Sequence, residues 1–373
     1  DGSPPLGWIR ATGRSSPDRW RLNPLVGQFA GGKLVGTGEG YQRADGVWLN
    51  RLDLTLNRGD LPQLVTAFVD PSWGNRVKGR VNLDVRSRSV GSNWTGNGFV
   101  EAPETRISSV PLNNTRIEFD WRLGLETVPP TLQITARRFA GSLVGGSVVG
   151  SFDWRSNGTT QSQSLDLNAR FTEVNLAVLA RSLPDLPGNA TGSLSGTIRL
   201  KQANERLSGN LDAQLRQAML FELPVFSQIS NRVGLDRVGV FERGQLSSRI
   251  GTNGLVVESL ELQGPVVQMA ITGTIGFDRR LDLEVLVSNN QIVTELSRVL
   301  IPRLPVINRL AGEGIGVLDN IIGILSEQLL KFKVTGTLDD PRVTPDASIR
   351  VTPRAARFFG DLIDLPRNLL PQS

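Results

Sequence analysis

The side chains that most often carry out chemistry are either missing from this chain or placed where solvent would claim them. There is no His and no Cys among the 373 residues. That removes the usual general base, the commonest metal ligand and all thiolate chemistry. Paired carboxylates or a Ser–Lys arrangement remain as catalytic options. However, Asp84, Asp153, Asp166, Asp212, Asp282 and Glu284 each alternate with apolar neighbours, which puts them on a wet strand face as solvated charge. Gly312-Glu313-Gly314-Ile315-Gly316 shares only its glycines with a phosphate-cradling loop. No strand leads into it and no Lys-Ser/Thr follows, so it reads as a break between helices. The expectation is a protein with no catalytic residue, no metal and no cofactor, and not an enzyme.

A different pattern recurs: apolar, any, Gly, any, apolar. It reads Val77-Lys78-Gly79-Arg80-Val81, Val148-Val149-Gly150-Ser151-Phe152, Leu194-Ser195-Gly196-Thr197-Ile198 and Leu207-Ser208-Gly209-Asn210-Leu211. It returns at Ile271-Thr272-Gly273-Thr274-Ile275 and Val334-Thr335-Gly336-Thr337-Leu338, with looser versions around Gly27 and Gly141. Period-2 alternation specifies strands with one apolar and one wet face. The glycine always falls on the apolar side, where it either leaves a gap in the lining or lets the sheet bend.

The elements that must carry this pattern follow from the same periodicity. A strand is predicted from Val47, and Asp60-Leu61-Pro62 opens a short helix through Phe68 with Asp60 as N-cap. Strands are predicted near 77–87, 94–101, 115–124 and 131–138, then a hairpin near 139–155, with Asn157-Gly158 nearby as a turn signal. Helices are expected near 174–183 and over 217–233, the second broken at Pro224. Strands resume at 191–201, 206–216, 238–288 and 331–338. A largely helical insertion is expected at 290–330, and an amphipathic tail helix begins near 354. Strand groups punctuated by short helices suggest an internal repeat.

Composition bounds the partners. The net charge is +5, and 36 of the 41 basic residues are Arg, spread along the chain without a block. Nucleic-acid binding normally shows a clustered footprint, so no nucleic-acid partner is expected. No run of 18 uncharged apolar residues is present, so no transmembrane helix is expected.

An amphipathic sheet must cover its apolar face with something. Three covers are available: a second sheet, closure into a barrel, or a bound apolar ligand. The predicted helices are few and clustered, large aromatics look scarce on that face, and glycines thin it further. The expectation is therefore an elongated, curled, mostly antiparallel β-groove (a U-shaped trough) with short helices, its apolar side open to acyl chains. The candidate lining is Val77, Val81, Leu83, Val85, Leu194, Ile198, Leu211, Ile271, Ile275, Leu283, Val285 and Val334. Replacing Val81 or Ile275 with Asp is expected to block transfer and leave the fold intact.

Residues 238–345 resemble the C-terminal region of AsmA-like proteins, the bacterial bridge-like lipid-transfer group. The resemblance rests on Gly244-Gln245-Leu246, Asn253-Gly254-Leu255, Ile271-Thr272-Gly273-Thr274-Ile275-Gly276-Phe277-Asp278, Leu281-Asp282-Leu283 and Phe332-Lys333-Val334-Thr335-Gly336-Thr337-Leu338-Asp339-Asp340-Pro341. Residues 1–237 share only the general grammar. The resemblance implies a periplasmic protein of a diderm bacterium that conducts phospholipid between inner and outer membranes, anchored by a segment this chain does not include. It implies a repeated β-groove segment at 1–187, the AsmA-like region at 188–345 and an amphipathic tail at 346–373. The C-terminal helices would either cover the end of the sheet or meet a membrane surface or outer-membrane protein through Arg298, Arg303, Arg309, Arg350 and Arg354. The alternative is a non-transporting envelope scaffold that assists outer-membrane protein assembly.

Overall fold

A computed structural model describes residues 6–69, 71–127, 129–157, 163–183, 190–204, 206–220, 222–233, 239–289 and 329–362. The fold is mainly β, with eighteen strands, four short helices and a further helix near the C-terminus among the described residues. Every pair with a defined register is antiparallel and joins strands adjacent in sequence. The chain divides into two compact units, one of residues 1–174 with 197–209 and one of residues 175–196 with 210–373.

The first unit is a meander of β1 (Gly7–Ser16), β2 (Arg19–Phe29), β3 (Gly32–Gln42), β4 (Trp48–Asp60), β5 (Val77–Val90), β6 (Asn93–Ile107), β7 (Val110–Gly124), β8 (Thr131–Leu143), β9 (Gly146–Ser156) and β10 (Ser164–Asn175). Between β4 and β5 lie α1 (Leu61–Phe68) and the single turn α2 (Pro71–Gly74). Asp60 caps α1 as its sequence predicts: its carboxylate accepts from the Gln63 amide at 3.1 Å, and Pro62 takes a first-turn position that needs no amide donor. The helix lays Leu64 against a small core of Leu25, Leu34 and Leu56. This helical crossover marks one end of the strands. At the opposite end, tight turns such as Gly91-Ser92 close the hairpins. Strand β1 is exposed at every residue.

Side chains alternate as expected. In β5, Val77 and Val81 are buried while Lys78 and Arg80 are exposed. Bulges interrupt the ladders near the helical end, as between Leu56 and Gly59 and between Gly79 and Asn82. Gly79 takes φ +132° there, a conformation closed to side-chain-bearing residues, and Gly273 does the same at φ +128°. Both motif glycines stand at register shifts of their ladders, Gly79 in β5 and Gly273 opposite Val257.

The second unit holds α3 (Leu176–Ser182), α4 (Pro224–Val233), β13 (Val240–Gly251), β14 (Gly254–Gln263), β15 (Val267–Gly276), β16 (Leu281–Asn289), β17 (Leu330–Gly336), β18 (Pro341–Pro345) and α5 (Pro353–Leu362). β11 (Thr191–Ala203) and β12 (Arg206–Met219) contribute part of their length to each unit. Strand β12 extends to Met219, so the helix predicted over 217–233 begins only at Pro224, which occupies its first position. The predicted insertion at 290–330 lies, up to residue 328, outside the described residues.

Candidate functional site

In the first unit, the inner face of the sheet can be followed from strand to strand through its register. One row runs Leu34, Leu56, Leu83, Val100, Ile117, Phe139, Gly150 and Ala169 across β3 to β10. The next runs Gly36, Leu54, Val85 and Gly98, with Phe119 beside it on β7. Leu34 and Leu56 are buried, but Leu83, Val85, Val100, Ile117, Phe119 and Phe139 stay partly exposed. The apolar surface is thus sealed near α1 and half-open farther along.

The glycines on this face are not gaps. A Cβ on Gly98 would fall 2.8 Å from Cζ of Phe119, and one on Gly150 would fall 2.6 Å from Cζ of Phe139. Gly96 sits 2.6 Å, measured the same way, from Nε1 of Trp121, and Gly40 lies directly beneath the Trp20 indole. In each case the ring belongs to the cross-strand partner or a residue one strand away, and it fills the volume the glycine leaves. The expected shortage of aromatics on the apolar side is therefore corrected. Trp20, Trp94, Phe119, Trp121, Phe139, Phe152 and Trp154 all point that way by strand parity. Ring-on-glycine packing gives a smooth lining at ordinary density where an empty slot would cost stability.

The twelve predicted lining residues separate into two groups. Leu83, Val85, Leu194, Ile198, Leu211 and Ile275 are partly exposed, whereas Val77, Val81, Ile271, Leu283, Val285 and Val334 are buried. The last four belong to the main core of the second unit. There Phe226 and Ile229 of α4, Ala180 of α3 and Phe241, Leu262 and Met269 of the strands close over them. Val285, Val334 and Ile229 are each 0% exposed. The Gln228 side chain pins α4 to β18, donating to the Pro341 carbonyl at 2.6 Å and accepting from the Val343 amide at 3.4 Å. An acidic substitution at Val81, which is 3% exposed, would therefore strike packed core and not an open lining. Ile275 packs against the core of the second unit.

The tail helix has an identified place. Ala355, Ala356 and Phe359 of α5 are buried, and Arg354 pairs with Glu261 of β14 at 2.9 Å. Ala270, Leu286 and Ser288, which face away from Met269 and Val285 along their strands, are buried too. The 267–271 half of β15 and the 285–288 half of β16 are thus enclosed on both faces, while Thr274 and Asp282 farther along are exposed.

On the wet face of the first unit the ionisable groups pair at the surface. Arg155 meets Asp153 at 2.8 Å and Arg51 meets Asp53 at 3.2 Å. Burial pushes the Asp153 carboxyl up, but donors from Thr135 at 2.7 Å and Gln133 at 2.9 Å, with Arg155, outweigh it and hold the group below its ordinary 3.8. Among the described residues no group of three or more Asp, Glu, His or Cys could hold a metal ion. No described helix is long and apolar enough to cross a membrane.

The ring lining was the part that strand alternation alone could not reveal. Its signal is relational: Gly98 opposite Phe119, or Gly96 opposite Trp121, emerges only once register is known. Comparison with protein-family models, curated proteins and solved structures finds no match to this chain.

Proposed function

We propose that the first unit binds phospholipid acyl chains along its ring-lined inner face, as one segment of an AsmA-like path that carries lipid through the periplasm between two membranes. The observation that carries this reading is the strip from Leu83 and Val85 through Ile117, Phe119 and Phe139: apolar, contiguous and left partly exposed. Burying such a strip against hydrocarbon is favourable in proportion to its area. A sixteen-carbon chain brings about 13 kcal/mol of transfer free energy, at ~0.8 kcal/mol per CH₂. The Phe119 and Phe139 rings over Gly98 and Gly150 offer no polar contact that would hold a lipid at one station, which suits passage better than storage.

The test is capture of lipid by the purified chain after incubation with phospholipid vesicles, read by native mass spectrometry. The wild type is expected to retain phospholipid. Val85→Asp and Ile117→Asp, both at partly exposed positions, should lower retention at least about tenfold with unchanged circular dichroism, since a desolvated carboxylate is costly against hydrocarbon. A folded wild-type protein that captures none, or variants that capture as much as wild type, would sink the proposal and favour the scaffold reading.

A further inference from the structure

The arginines that look dispersed in sequence are gathered by the strand register. Near the turn end of the first unit, one cross-strand row on the wet face reads Arg14, Arg21, Glu39, Arg51, Arg88, Thr95, Arg122, Gln133 and Arg155 over β1 to β9. Arg14 stands directly opposite Arg21, and Arg51 directly opposite Arg88. All six arginines are exposed. Asp53 meets Arg51, Asp153 meets Arg155 and Glu39 stands between Arg21 and Arg51, but the row still carries more positive than negative charge. Like charges facing each other across a ladder are unfavourable, so the row suits an anionic partner.

Two further features lie at the same height along the strands. On the opposite face, Trp20 and Trp94 flank Asn50 and Ser89 in one row, and Trp121 and Trp154 flank Ile134 in the next. The Trp20 indole donates to Asn50 at 3.1 Å, and Asn50 donates to Ser89 at 2.8 Å. Beyond the arginine row, toward the turns, Tyr41, Val90 and Leu125 are each about half exposed, at 50%, 55% and 49%. The carboxylates at these tips are partly engaged: Asp18 accepts from the Ser16 hydroxyl at 2.8 Å, Asp45 pairs with Arg43 at 3.3 Å, and Glu126 accepts from Ser92 and Asn93 at 2.9 and 2.8 Å.

Exposed apolar side chains among the polar turn residues, then a level with indoles on one face and guanidinium groups on the other, match the layering of a bilayer interface, where aromatic rings sit at headgroup depth and cations face lipid phosphates. We infer that the turn edge of the first unit docks on an anionic membrane surface. Tyr41, Val90 and Leu125 dip between headgroups, and Arg51, Arg88 and Arg122 lie against the phosphates. A nucleic acid would satisfy the arginines but has no use for the exposed Tyr41, Val90 and Leu125 or for indoles on the far face.

The inference is tested by co-sedimentation of the full chain with phosphatidylcholine vesicles, with and without about one-third phosphatidylglycerol. Binding is expected only to the anionic vesicles and should disappear as salt rises from about 0.05 to about 0.5 M. The triple variant R51Q/R88Q/R122Q should bind on the order of a hundredfold more weakly. K78Q/R80Q/R106Q, which removes the same charge near the helical end, should bind as wild type does. Equal binding to neutral vesicles, equal loss in both triple variants, or binding to duplex DNA without binding to vesicles would each overturn it. Vesicle binding without retained lipid would defeat the acyl-chain reading alone. Retained lipid without vesicle binding would defeat only this one.

Discussion

Gly98 and Phe119 act as a pair. A Cβ on the glycine would stand 2.8 Å from the ring and closer still to the Asp84 carbonyl oxygen on the neighbouring strand, so Gly98→Val must displace both the ring and the β5 backbone. Overpacking of this kind costs about 1–3 kcal/mol, and urea denaturation should register it as a lower midpoint with an unchanged slope. Asp153 supports a prediction of a different sort. Its folded-state pKa lies below 3.8, so its contribution to stability is complete above that unfolded value and is lost as pH falls through the folded one. Denaturation midpoints should therefore separate wild type from Asp153→Asn at about pH 6 and converge toward about pH 2. A constant difference across that range would show that the Thr135, Gln133 and Arg155 contacts do not favour the ionised carboxylate.

At the scale of elements, the helices decide which strands keep an open face. Ile229 in α4 is fully buried among the strands of the second unit, so Ile229→Ala should cost about 2–5 kcal/mol and raise the binding of a hydrophobic dye. The same truncation at the exposed Phe68 of α1 removes far less buried surface. Two of the helices were legible in local sequence: Asp60 with Pro62 starts α1, and α3, capped by Asn175 through the Ala177 and Val178 amides, falls within the helix expected near 174–183. Pro224, read as a break inside a helix over 217–233, instead opens α4. Their coverage was not legible. The 3.6 period of α4 shows an apolar stripe, but only tertiary packing sets Phe226 and Ile229 against Val285 and Val334. Strands β2 and β3 were hidden for a related reason. Gly36, Gly38 and Gly40 fill inner positions where alternation should show apolar side chains, and Trp20 and the neighbouring leucines supply the missing bulk.

At the scale of the molecule, one strand grammar produces two outcomes. The second unit folds its helices over the apolar side and becomes an ordinary closed core, while the first leaves a band of rings and aliphatics half in solvent. A uniform open face was the natural expectation from the repeated motif, because Val285 and Val85 look alike in sequence. What separates them is the set of elements above them, which alternation does not encode. Charge behaves in the same way: Arg51, Arg88 and Arg122 are far apart in sequence, and β-pairing alone brings them into line.

From β1 to β10 each strand bonds to the one synthesised just before it. No segment has to wait for a distant mate, so assembly can proceed as zipping from the first hairpin onward, with little entropy lost to loop closure. Nearest-neighbour architecture of this kind is also extensible. Duplicating or deleting a hairpin changes reach in steps of roughly 10 Å and asks nothing of the remainder except a matching border.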